Sequence, residues 1–107
     1  IIILNLLIIK RHYGTTVLNV GEWYQISATY DGSNTVGGVN LYVNGILETV
    51  SSQGGGGVIG TFQTTDPLQI GGQQGYNFNG NIASFKMWNR ELTQKEITQN
   101  YKVLYQW

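Results

Sequence analysis

Two stretches decide the fold: Trp23-Tyr24-Gln25-Ile26-Ser27-Ala28-Thr29-Tyr30-Asp31-Gly32 and Val39-Asn40-Leu41-Tyr42-Val43-Asn44-Gly45. In the first, Tyr24, Ile26, Ala28 and Tyr30 alternate with Gln25, Ser27 and Thr29, the period-two signature of a β-strand. The second sets Val39, Leu41 and Val43 on one face and ends on Asn44-Gly45. That dipeptide is the strongest short-range hairpin signal, because both residues tolerate positive φ. The return strand is expected over Ile46 to Ser52. Between the two stretches, Asp31-Gly32-Ser33-Asn34 is a run of turn formers.

Upstream, Gly21-Glu22 and Tyr13-Gly14 are turns that bracket a candidate short strand, Thr15 to Val20. Ile1 to Ile9 is an apolar run broken only by Asn5. It is too short to span a bilayer as a helix, and it lacks the basic start and cleavage site of a signal peptide. Its β-branched composition predicts a strand buried on both faces, with Lys10-Arg11-His12 as the exit to solvent. The chain opens on Ile1 rather than Met, which fits a processed chain or a fragment.

Downstream, Gly54 to Gly57 predicts a loop, since nothing there can pack. Val58 to Phe62 and Leu68 to Ile70 are candidate strands around the Asp66-Pro67 turn, and Gln73 to Asn79 is a polar, aromatic-bearing loop. Gly80 to Trp88 predicts a strand with a phase fault. Ile82 falls on an even position while Phe85 and Met87 are odd, so a β-bulge near Ala83-Ser84 is needed to restore register. Thr93-Gln94-Lys95-Glu96 is a capping box. It opens a helix from Gln94 to about Lys102, with Ile97 and Tyr101 toward the sheet and Leu92 stapled onto Ile97. Val103 to Trp107 is a last strand or a tail.

Composition limits the function. The chain has 107 residues, one domain's worth. Charged residues make up 11%, well under half the usual share of roughly 25%, and the formal net charge is zero. No basic footprint for nucleic acid exists. Cysteine is absent, which removes disulfides, thiolate metal sites and thiol catalysis. The many short strands, frequent turns and single helix predict an all-β fold, an antiparallel sandwich with one short C-terminal helix.

These segments carry a resemblance. Gly21 to Gly32 is similar to the "G-x-W-h-x-h-A-x-T-Y-D-G" strand of laminin-G-like domains. Leu41 to Gly45 is similar to their "LYVNG" hairpin, and Asp66 to Gly72 to "x-P-L-x-I-G-G". Phe78-Asn79-Gly80-Asn81-Ile82, followed by Phe85, Met87-Trp88-Asn89, Leu92 and Glu96-Ile97, resembles their closing segment, which is also the pentraxin closing signature. The family pattern has the same skipped position after its Ile. The resemblance covers residues 21–101 and leaves residues 1–20 poorly matched. It implies a concanavalin A-like jelly roll, with residues 1–107 forming a single domain, or part of one. Family domains run to roughly twice this sandwich-forming length. The shortfall is expected to leave open strand edges that pair with another chain.

The family includes lectins, adhesion modules and, more distantly, glycanases. Retaining glycoside hydrolysis needs two carboxyl groups about 5–5.5 Å apart. The six acids, Glu22, Asp31, Glu48, Asp66, Glu91 and Glu96, include no two within two residues of each other, so no enzyme is expected and no cofactor is required. The single His12 beside Lys10 and Arg11 predicts a solvated side chain. The resemblance allows calcium, with Asp31, Asn34 and Asp66 as the candidate ligands; the plainer reading makes them turn formers. Aromatic rings stack on sugars and amides bond their hydroxyls, so Gln74, Tyr76 and Asn77 are the candidate glycan contacts, against an ordinary Asn/Gly-rich turn. Trp23 and Trp88 sit in fold motifs and are expected to pack.

Two functions follow. One is a structural or assembly component, such as a virion decoration, fibre or surface-layer protein, whose partners are other subunits or the rest of a larger chain and which forms oligomers. The other is a lectin-like module that binds glycans or proteins on a secreted or cell-surface protein. Both place the chain outside the cell or on a virion surface.

Overall fold

The computed structural model describes residues 11–49, 51–53, 65, 67, 69–73 and 75–104. The predicted strands at Ile1–Ile9 and Val58–Phe62 and the glycine run at Gly54–Gly57 lie outside them. The same is true of Asp66, Leu68, Gln74 and residues 105–107.

The described strands are β1 (Arg11–Tyr13), β2 (Ile26–Tyr30), β3 (Val39–Val43), β4 (Ile46–Leu47), β5 (Ser51–Gln53), β6 (Gly72–Gln73) and β7 (Tyr76–Asn77), and they are followed by helix α1 (Gln94–Leu104). The ladders among the described strands are antiparallel: β1 with β5, β2–β3–β4 in that order, and β6 with β7. An antiparallel β protein with one C-terminal helix is what the patterning predicts; the described ladders do not by themselves make a two-layer sandwich.

The hairpin follows the sequence closely. Asn44 (φ 51°) and Gly45 (φ 79°) both take the left-handed conformation that a primed two-residue turn requires. Asn44 also extends the ladder. Its N–H donates to the Gln25 carbonyl at 2.8 Å, and its Oδ1 accepts the Gln25 N–H at 2.9 Å.

The return strand differs from expectation. β4 spans two residues paired to β3, and Glu48 adds one more bond to the Leu41 carbonyl at 2.8 Å. The chain then leaves that sheet, and Ser51–Gln53 pairs with β1 instead. Thr15 to Val20 forms no strand, and residues 80–88 form no ladder with any described strand.

The register puts Ile26, Ala28, Tyr30, Val39, Leu41, Val43 and Ile46 on one face of the three-stranded sheet, with Ser27, Thr29, Asn40, Tyr42 and Leu47 on the other. Among the described residues the buried cluster lies on the more polar face, while Val39 is buried on the other. Tyr42, Leu92 and Ile97 form one buried cluster, and Ile97 is 3% exposed. Leu92 and Ile97 flank the cap as a hydrophobic staple. Burying a side chain such as Ile97 contributes roughly 1.5–3 kcal/mol.

The helix begins as the capping box predicts. The Glu96 N–H donates to Thr93 Oγ1 at 3.3 Å, and Glu96 Oε2 accepts the Thr93 N–H at 2.9 Å. Arg90 adds a bidentate pair to the Glu96 carboxylate, at 2.7 and 3.0 Å. The helix runs two residues past the predicted end, to Leu104.

Trp23 and Trp88 depart from the expectation that they pack: they are 53% and 45% exposed. Met87, on the side expected to face inward, is 59% exposed.

Candidate functional site

The Asp31–Asn34 loop is built for turning. Asp31 Oδ1 accepts the Ser33 N–H at 2.8 Å, and the Asp31 N–H donates to the Gly38 carbonyl at 3.1 Å. Asn34 sits at φ 57°, where an Asn tolerates the left-handed region. The Tyr30 hydroxyl holds it there, accepting the Asn34 N–H at 2.6 Å and donating to Asn34 Oδ1 at 3.2 Å. The Ser33 hydroxyl and N–H hold the Asp31 carboxyl below the usual carboxylate range.

A hard cation wants six to eight oxygen ligands. The described loop offers one carboxylate and one amide, and both are already engaged in its own hydrogen bonds. Asp66, the third candidate ligand, lies outside the described residues. No group of three or more His, Asp or Glu side chains able to hold a metal occurs among the described residues. The described part of the loop is a turn held by its own hydrogen bonds.

The glycan candidates fall on the second hairpin. Tyr76 and Asn77 form β7, opposite Gln73 and Gly72, and Gly75 turns the chain at φ 88°. Asn77 is exposed, while Gln74 lies outside the described residues. The Phe78 N–H donates to the Gly71 carbonyl at 2.6 Å and closes the hairpin base.

Two features escaped the sequence reading. Glu48 clasps the N-terminal leg: its carboxylate accepts the Thr15 and Thr16 N–H groups at 2.8 Å each, along with both threonine hydroxyls. The Thr16 hydroxyl and N–H are the main reason its carboxyl titrates below the usual range. No local motif announces a clasp across more than thirty residues. The second is the docking of α1 on the hairpin tip. Gln94 Nε2 and Thr98 Oγ1 both donate to the Gly45 carbonyl, at 2.8 and 3.3 Å. A Cβ added at Gly45 would lie 3.2 Å from Tyr101 Cβ and 3.4 Å from Thr98 Cα. The Asn-Gly signal pointed to the turn, but the close approach of the helix was not legible in it.

One exposed apolar surface is a sheet edge. Among the described strands β4 pairs only with β3, and its side chains Ile46 and Leu47, on opposite faces, are 70% and 51% exposed. An edge with apolar side chains on both faces is a template for another strand.

Glu48 and Glu96 are held by the bonds described, and Glu22 accepts the Tyr24 hydroxyl. No described helix is long and apolar enough to cross a membrane.

Comparison with known proteins agrees with this geometry. The solved structure of residues 221–444 of an S-layer domain-containing protein from Clostridium thermocellum superposes with a TM-score of 0.58 at 20% identity. The match covers 82% of this chain and 43% of that one, and at that identity it speaks to the fold. Pappalysin-1 of Homo sapiens is 35% identical over 79 residues, which span 72% of this chain and 5% of that protein. A laminin-G family model, described as concanavalin A-like lectin/glucanases superfamily, matches residues 9–98. The chain therefore belongs to the laminin-G-like family of the concanavalin A-like lectin/glucanases superfamily.

Proposed function

We propose that this chain is a non-catalytic laminin-G-like module with a structural role at a surface, whether of a cell or a virion. It joins other protein subunits or the rest of a larger chain to complete a jelly-roll sandwich. The observation that carries this reading is the edge at β4. Its backbone has one strand neighbour among the described strands, while Ile46 and Leu47 stand exposed on both faces. Strand addition to such an edge supplies main-chain hydrogen bonds and covers the apolar pair.

The chemistry of the acids supports the non-catalytic part. Asp31, Glu48 and Glu96 serve a turn, a clasp and a cap. The solved structure that superposes belongs to an S-layer domain-containing protein, which fits placement outside the cell.

The test is sedimentation velocity over a wide concentration range. The wild-type chain associates with rising concentration. The Ile46→Lys/Leu47→Lys variant does not, and it keeps its far-UV spectrum because both side chains are exposed. The lectin-like alternative, through Gln74, Tyr76 and Asn77, predicts instead a monomer with saturable glycan binding, assayed with and without calcium.

A further inference from the structure

The chain contains two Asn-Gly dipeptides, Asn44-Gly45 and Asn79-Gly80. Asparagine before glycine is chemically labile, because no side chain shields the glycine nitrogen. That nitrogen loses its proton to solvent base and attacks the asparagine Cγ. The bond from Cγ to the amide nitrogen breaks, and ammonia leaves with a proton from water. Water then opens the succinimide ring at either carbonyl, giving aspartate or isoaspartate. One ammonia departs, one water enters, and no oxidant or reductant is needed.

The fold treats the two dipeptides differently. At the first, Asn44 Oδ1 accepts the Gln25 N–H at 2.9 Å, and the Asn44 N–H donates to the Gln25 carbonyl at 2.8 Å. Gly45 is buried, and its carbonyl is held by Gln94 and Thr98. Swinging the Asn44 Cγ onto the Gly45 nitrogen would break the amide's bond to Gln25 and disturb the docked helix.

At the second, Asn79 and Gly80 are both exposed. Neither the Asn79 amide nor the Gly80 N–H has a hydrogen-bond partner among the described residues. A Cβ at Gly80 would lie 2.7 Å from the Phe78 ring, so a larger residue there would require that ring to shift.

We infer that Asn79 is a spontaneous deamidation and isoaspartate-forming site, while Asn44 is protected by the fold. Each event adds one negative charge to a chain of zero formal net charge, next to the hairpin that carries Tyr76 and Asn77.

The test is incubation of the folded chain in mildly alkaline buffer, followed by peptide mapping with isoaspartate detection. Asn79 should convert at least roughly tenfold faster than Asn44, the kind of factor that local opening imposes on a structured site. Asn79→Gln should remove the early acidic species on isoelectric focusing. In strong denaturant the two sites should convert at comparable rates. Conversion of Asn44 as fast as Asn79 in the folded chain would overturn the inference. So would an intact Asn79 over a period in which the denatured chain converts, or an Asn44 that stays slow in denaturant.

Discussion

The hairpin–helix unit and the segment from Ile70 to Trp88 are built by different means. In the first, Tyr42 of β3, Leu92 and Ile97 of α1 form one buried cluster, the primed turn docks under the helix, and Thr93 and Glu96 cap each other reciprocally. In the second, a two-residue ladder is followed by residues 80–88, most of them exposed, with Phe78 lying over Gly80. Both belong to motifs of the same family. The difference teaches that a motif can be recognisable while its packing rests on partners beyond the motif itself.

The largest separation should come from truncating side chains. Ile97→Ala removes a buried member of the three-residue cluster and should cost about 2–5 kcal/mol in urea unfolding. Met87→Ala, at an exposed position, should stay within about 0.5 kcal/mol. Equal losses at both sites would erase the contrast.

Turn glycines sharpen it further. Gly45 and Gly75 both have positive φ, so an Ala at either position carries a backbone strain of roughly 1–2 kcal/mol. At Gly75 a Cβ would meet nothing within 4 Å, whereas at Gly45 it would press on Tyr101 and Thr98. Gly45→Ala should therefore be the more destabilising of the pair, and the excess measures the helix docking. Thermal unfolding of the two variants is the check.

The smallest effect is one of pH. The Arg90 guanidinium, and after it the Thr93 N–H, hold the Glu96 carboxyl at about 2, below its ordinary 4.5. A depressed carboxyl adds stability that is fully present above the ordinary value and is lost as pH falls through the folded one. The window is therefore between pH 4.5 and about 2. Because the pair is exposed, solvent screening keeps its contribution small. Glu96→Gln should flatten the stability profile in that window and leave its neutral-pH slope unchanged.

Local chemistry explains what was legible. Asn44-Gly45 and the Thr93–Glu96 box encode their geometry within a few residues, and both form as read. The alternation of Val39, Leu41 and Val43 correctly set one face of β3. What buries the other face was not encoded there: Leu92 and Ile97 come from the far end of the chain and join Tyr42 in a buried cluster. The same non-locality hid the Glu48 clasp, the departure of Ser51–Gln53 to β1 and the exposure of Trp23 and Trp88. Of the candidate site residues, Asp31 and Asn34 were readable as turn formers, and both make hydrogen bonds within that loop. The apolar edge at Ile46 and Leu47 was visible only as part of a longer expected strand.

The central claim is that the β4 edge joins this module to another. Sedimentation velocity of the wild-type chain beside the Ile46→Lys/Leu47→Lys variant tests it most directly. The account predicts concentration-dependent association in the wild type, abolished in the variant with secondary structure intact. A wild-type chain that stays monomeric at every concentration, or a variant that associates equally well, would contradict it.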